Sequence, residues 1–204
     1  MKLATLAPAS TLAFLLAGAP AFADVPDGAF GSNGHPAADF RWHADGTRAA
    51  IAVHLKQALG NEANPFGVTA DSPPGGVSAD SKLLGDFVPH LLGIPGPEVA
   101  LAHGEYFYSG AEAHNAGREA AVITQGRGGA VLALAVLQSG FGQPAIRKPL
   151  TIMVLGGKTP DPAMRDIFTG WACGEIDKSN SIRNGASHSA TIDDLDVQTR
   201  SVGG

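Results

Sequence analysis

Three stretches of helical periodicity, short apolar runs of strand length between them and a small polar interruption within those runs predict an α+β fold. The expected architecture is one domain, an antiparallel sheet flanked by helices, with a loop protruding between two strands. The strongest single element is a hairpin. Glu119–Gln125 and Ala130–Gln138 are apolar and partly β-branched, and the four residues Gly126-Arg-Gly-Gly129 join them. The helical signals come from Ile51, Leu55, Ala58 and Leu59 early in the chain, and from Met164, Ile167, Phe168 and Trp171 late in it.

The first helix is expected to start at Asp45, a good N-cap, and to stop at Gly60. Asn61 to Val77 holds Pro65, Pro73, Pro74, Gly75 and Gly76, too broken for regular structure. Ser78 or Asp80 is expected to cap a second helix, with Leu83, Leu84, Phe87 and Val88 on one face and Pro89 near its end. Leu91 to Pro97 then leads into a strand over Glu98–Tyr108, which Gly104 is positioned to split. After the hairpin, Pro149–Leu155 reads as a strand. Asp161 caps the last helix, with Pro162 at its first position. Lys178 to Gly204 is polar, with one short apolar possibility around Ile192–Val197.

The chain has 204 residues, 14 basic and 19 acidic. Lys2, the apolar run Leu12–Ala17 and Ala21-Phe22-Ala23 ahead of Asp24 form a secretory signal peptide, residues 1–23. That apolar run is too short to span a bilayer, and Pro8 and Pro20 break it further. Removing it deletes Lys2 and no acid, so the mature net charge is −6 against −5 for the whole chain. Such a balance argues against nucleic acid and anionic membrane as partners, while the signal peptide leads one to expect the protein in the periplasm or outside the cell. The domain organisation that follows is a loosely ordered segment 24–44, a single α+β domain 45–176 and a polar C-terminal tail 177–204. Cys173 is the only cysteine, so no internal disulfide supports the fold, and a buried structural role is expected for it.

Enzyme signatures fail one by one. Gly156-Gly-Lys158-Thr159 ends like a phosphate-binding loop, but Ile152 stands where its first glycine belongs. No Gly-x-Ser-x-Gly elbow occurs. The seven histidines, His35, His43, His54, His90, His103, His114 and His188, show no metal-ligand spacing. A site assembled in space from His103, Glu112 and His114, or an acid–base pair drawn from Glu105, Glu112 and His114, stays open as an alternative. The expectation is no catalytic residue, no metal and no cofactor.

The segment Ser109-Gly-Ala-Glu-Ala-His-Asn-Ala-Gly117 lies between two strand-like runs and presents one imidazole among small, flexible residues. It resembles the inhibitory loop of the Ivy family, the periplasmic inhibitors of vertebrate (c-type) lysozyme, in which Cys-Lys-Pro-His-Asp-Cys is followed by Gly. Here Ala111, Glu112, Ala113, His114, Asn115 and Ala116 occupy those positions and Gly117 closes them, with both cysteines replaced by Ala. Leu155–Arg165 is similar to that family's approach to its last helix, so the resemblance runs from about Ser78 to Cys173. It implies a non-enzymatic protein that binds c-type lysozyme, with Ala111–Gly117 as the partner-binding loop and His114 meeting the two catalytic carboxylates. The alternatives are a binding module of the same fold with another protein target, and a small periplasmic hydrolase or metal-binding protein. A homodimer is compatible with each. Two departures bear on affinity: the loop lacks the bridge that would pre-organise it, and Glu112 replaces a lysine beside a carboxylate-lined cleft.

Overall fold

A computed structural model describes residues 42, 45–66, 82–112, 117–138, 147–184 and 190–203. Its elements run α1 (Thr47–Leu59), α2 (Leu84–Leu91), β1 (Ile94–Ala100), β2 (Glu105–Ala111), β3 (Arg118–Gln125), β4 (Ala130–Gln138), β5 (Lys148–Leu155), α3 (Pro162–Asn184) and β6 (Leu195–Val202). The six strands form one sheet in sequence order. Neighbours from β1 to β5 are antiparallel, and β5 and β6 are parallel across the α3 connection. The α+β class read from the sequence is the one observed, with one parallel pair added.

Helices cover both faces. On one face Phe107, Ala121, Ile123, Ala135, Leu150 and Ile152 pack under Met164, Phe168 and Trp171 of α3. On the other, Tyr108, Ala120, Val122, Leu134 and Met153 pack under Ile51, Leu55 and Leu59 of α1 and Leu84, Phe87 and Leu91 of α2. The period-2 alternation of β3 therefore serves two cores, and no position from Arg118 to Thr124 is exposed. A register shift between Ile123 and Thr124 lets Val131 join the α1/α2 face that Leu134 and Val136 also occupy. Each fully buried Ile or Leu of α1 contributes about 1.5–3 kcal/mol by leaving water.

The helix starts differ from expectation for local reasons. Gly46 (φ 86°) is the N-cap of α1, and Asp45 stands one position earlier, accepting from the Thr47 N–H (3.1 Å) and hydroxyl (2.6 Å). Helix α2 begins at Leu84 rather than after Ser78 or Asp80, which lie outside the described residues. Asn64 N–H donates to the Lys82 carbonyl and Leu84 N–H to that of Glu62, so Leu83 is extended and bridged to Ala63. Gly85 lets α1 and α2 approach closely, since a Cβ there would lie 3.0 Å from the Gly60 nitrogen. Asp161 does cap α3, accepting from the Met164 N–H at 2.8 Å.

The sheet edges correct the sequence reading most. The expected strand Glu98–Tyr108 is two strands, β1 and β2, turned back on each other at His103 (φ 57°) and Gly104 (φ 74°). The polar tail is structured over most of its described length: α3 continues to Asn184, and Leu195–Val202 is β6. Segment 24–44 lies outside the described residues except Trp42, whose buried ring meets Tyr108 edge-on at 5.3 Å.

Candidate functional site

Strands β2 and β3 are adjacent and antiparallel, in register from Glu105↔Gln125 to Ala111↔Glu119. The segment singled out by sequence is therefore a hairpin connection at one end of the sheet. Ala113, His114, Asn115 and Ala116 lie outside the described residues. Ala111 ends β2, and the Glu112 N–H donates to the Arg118 carbonyl at 3.1 Å, closing the base of the loop. Gly117 is buried against that base.

Glu112 and Arg118 point to the α1/α2 face. Their side chains are 15% and 5% exposed, and the guanidinium Nη1 stands 3.9 Å from the carboxylate Oε2. The guanidinium carbon also sits 5.8 Å from the centre of the Phe87 ring. Aromatic face on one side and carboxylate on the other hold a cation that could not otherwise stay buried. Arg118 was not among the residues singled out from the sequence. The available signal was parity: it shares a face with Ala120 and Val122, so a charged residue there is directed inward.

The alternatives built on other acids and histidines separate in space. His103 and Glu105 precede β2 or open it, and Glu112 follows it. The seven residues of β2, at about 3.3 Å each, put roughly 23 Å between Glu105 and Glu112, too far for shared metal ligation or a shared proton. The proposed His103–Glu112–His114 site and the Glu105–Glu112 pair are corrected accordingly. Burial raises the Glu105 carboxyl above its usual range; the nearby His103 lowers it and Asp161 raises it. Among the described residues no three His, Cys, Asp or Glu side chains form a metal cluster.

Cys173 is half-buried on α3 against the core. Burial pushes its thiol up, and Asp177 and Asp194 add to the shift, the reverse of what a nucleophile needs. Among the described residues no helix is long and apolar enough to cross a membrane. No protein-family model, no curated protein and no solved structure matches the chain.

Proposed function

We propose that this is an exported binding protein that inhibits a c-type lysozyme by inserting the Ala111–Gly117 loop into the enzyme's cleft. The observation that carries the reading is the single imidazole, His114, on a short connection whose flanks are two directly paired strands. A neutral imidazole lodged between a protonated and an ionised carboxyl accepts from the first, donates to the second and blocks the sugar chain. It gains charge complementarity when protonated. The inhibitor makes and breaks no covalent bond.

The pinned base supports this reading against both departures from the family pattern. The Glu112–Arg118 backbone bond and the Ala111↔Glu119 pairing fix the span that a disulfide would otherwise fix. Ordering on docking is then confined to the few residues between them. The Glu112 carboxylate is turned toward Arg118 and mostly covered, so its charge is compensated within the chain instead of facing the cleft.

The test is lysis of peptidoglycan by a c-type lysozyme at low salt, with the mature protein added. Wild type is expected to slow lysis. His114→Ala should weaken inhibition by about 1.5–3 kcal/mol, the scale of a hydrogen bond to a charged group. Lysis rates that neither protein changes at high micromolar concentration overturn the proposal.

A further inference from the structure

The two edges of the sheet are finished differently. Edge strand β1 carries Pro95 and Pro97 and a register shift between Pro95 and Glu98, and Trp42 Nε1–H donates to the Gly96 carbonyl at 2.7 Å. An incoming strand there would meet missing donors and an occupied acceptor. Among the described residues, edge strand β6 has no such guard. It pairs with β5 without interruption from Lys148↔Leu195 to Leu155↔Val202, it contains no proline, and Asp196, Gln198, Thr199 and Ser201 are exposed.

Its charges are symmetric about its middle: Asp196 precedes Gln198 by two residues and Arg200 follows it by two, all on one face of the strand. Arg200 is also poorly served within its own chain. Its Nη2 lies 3.4 Å from the Met153 sulfur, a weak acceptor, and its buried Nε has no hydrogen-bond partner among the described residues. We propose that β6 is a dimerisation edge, pairing antiparallel with β6 of a second copy about a twofold axis at Gln198. Asp196 then faces Arg200 of the partner subunit, and the symmetry repeats the pair. Val197 faces Thr199 of the partner subunit, and Leu195 faces Ser201 of the partner subunit. Of the twofold registers within β6, only this one sets opposite charges across from each other. The two six-stranded sheets become one sheet with the α1/α2 layers on the same side, and β2 and β3 are separated from the junction by β4, β5 and β6.

The experiment is sedimentation equilibrium of the mature protein over a micromolar to high-micromolar series. Wild type is expected to dimerise. Asp196→Arg and Arg200→Asp, tested singly, should each raise the dimer dissociation constant by about tenfold or more, from two lost and two repulsive pairs. The double variant D196R/R200D should return it to within about threefold of wild type. Thermal unfolding of the dilute single variants close to that of dilute wild type confirms that the fold is intact. Wild type that stays monomeric throughout, single variants that dimerise as wild type does, or a double variant no better than the singles would overturn the proposal.

Discussion

Strand β3 enters through one connection and leaves through another, and the two are built to opposite ends. The β3–β4 turn, residues 126–129, is held from every side. Gly126 (φ 76°) and Gly128 (φ 64°) supply its left-handed corners. Gly128 N–H donates to the buried Tyr108 hydroxyl at 2.9 Å, Thr124 Oγ1 to the Gly126 carbonyl at 2.7 Å, and Gly126 N–H to the Gly104 carbonyl at 2.9 Å. Arg127 reaches Asp45 at 2.7 Å and Glu98 at 2.6 Å. At the described base of the β2–β3 loop stand the Glu112–Arg118 backbone bond and the ion pair of the same two residues at 3.9 Å. A connection whose side chains are all spent on the fold has none to offer a partner. The sequence gives the β2–β3 connection small residues and a single histidine, the composition of a segment meant for a partner.

The comparison breaks most visibly at Tyr108, which joins the turn to the core. Tyr108→Ala should destabilise by about 3–5 kcal/mol, as for other large buried aromatics, measured by denaturant unfolding. Tyr108→Phe keeps the ring and orphans the Gly128 N–H, at about 1–2 kcal/mol. The same hydroxyl gives a pH signature. Burial pushes the phenol up from its ordinary 10 to about 12. The neutral form is the one the fold favours, so its contribution is complete below pH 10 and is lost as pH rises toward 12, by about 2–3 kcal/mol. Tyr108→Phe should lose that alkaline limb, and an alkaline limb unchanged in the variant would assign it to other groups.

How far the sequence disclosed these regions follows from the same physics. The β3–turn–β4 hairpin was legible to within a residue because a central strand must be apolar on both faces and a tight turn must contain glycine. The two edges were hidden. At β1 the prolines read as a turn, yet an edge strand has one row of N–H groups with no ladder to join, so proline is tolerated there. At β6 Asp196, Gln198 and Arg200 read as a polar tail, although Leu195, Val197 and Val202 suffice to seat a strand at the sheet's margin. At the candidate site the flanking strands were legible and Arg118 was not, because a charged residue beside a glycine reads as surface unless the strand parity is followed through it.

A second, smaller break is available at the loop base. Arg118→Met keeps the packing against Phe87 and removes the cation. Glu112 retains some access to water and the pair is at the long end of its range, so the expected loss is about 1–2 kcal/mol, below that of a fully buried pair. Adding Glu112→Gln should restore part of it, because no orphaned charge remains. Inhibition should respond differently: on the proposed function, Arg118→Met alone should bind lysozyme less well, since the Glu112 carboxylate loses the guanidinium beside the cleft, and the double variant should recover. Equal inhibition by wild type and both variants would mean that the base of the loop does not set the charge seen by the partner.

The smallest expected effect on stability makes the sharpest contrast. A Gly-Ser insertion between Ala113 and His114 lengthens the six-residue connection 112–117 by two, and loop-closure entropy grows only logarithmically, so the cost is about 0.3 kcal/mol. The same insertion between Gly128 and Gly129 displaces the amide that donates to Tyr108 and pulls Arg127 from its carboxylates, for about 2 kcal/mol or more. Thermal unfolding separates the two by several degrees in a domain of this size. Activity should rank them in reverse. The loop insertion leaves His114 at the end of a longer, freer segment, which must be ordered on docking, and should cost inhibition about tenfold at an ordering penalty near 1.4 kcal/mol. The turn insertion, assayed well below its melting temperature, should inhibit as wild type does, since the turn lies at the opposite end of β3 from the loop. If the loop insertion destabilises as much as the turn insertion, the connection is part of the packed structure, and the division of labour between the two ends of β3 is wrong.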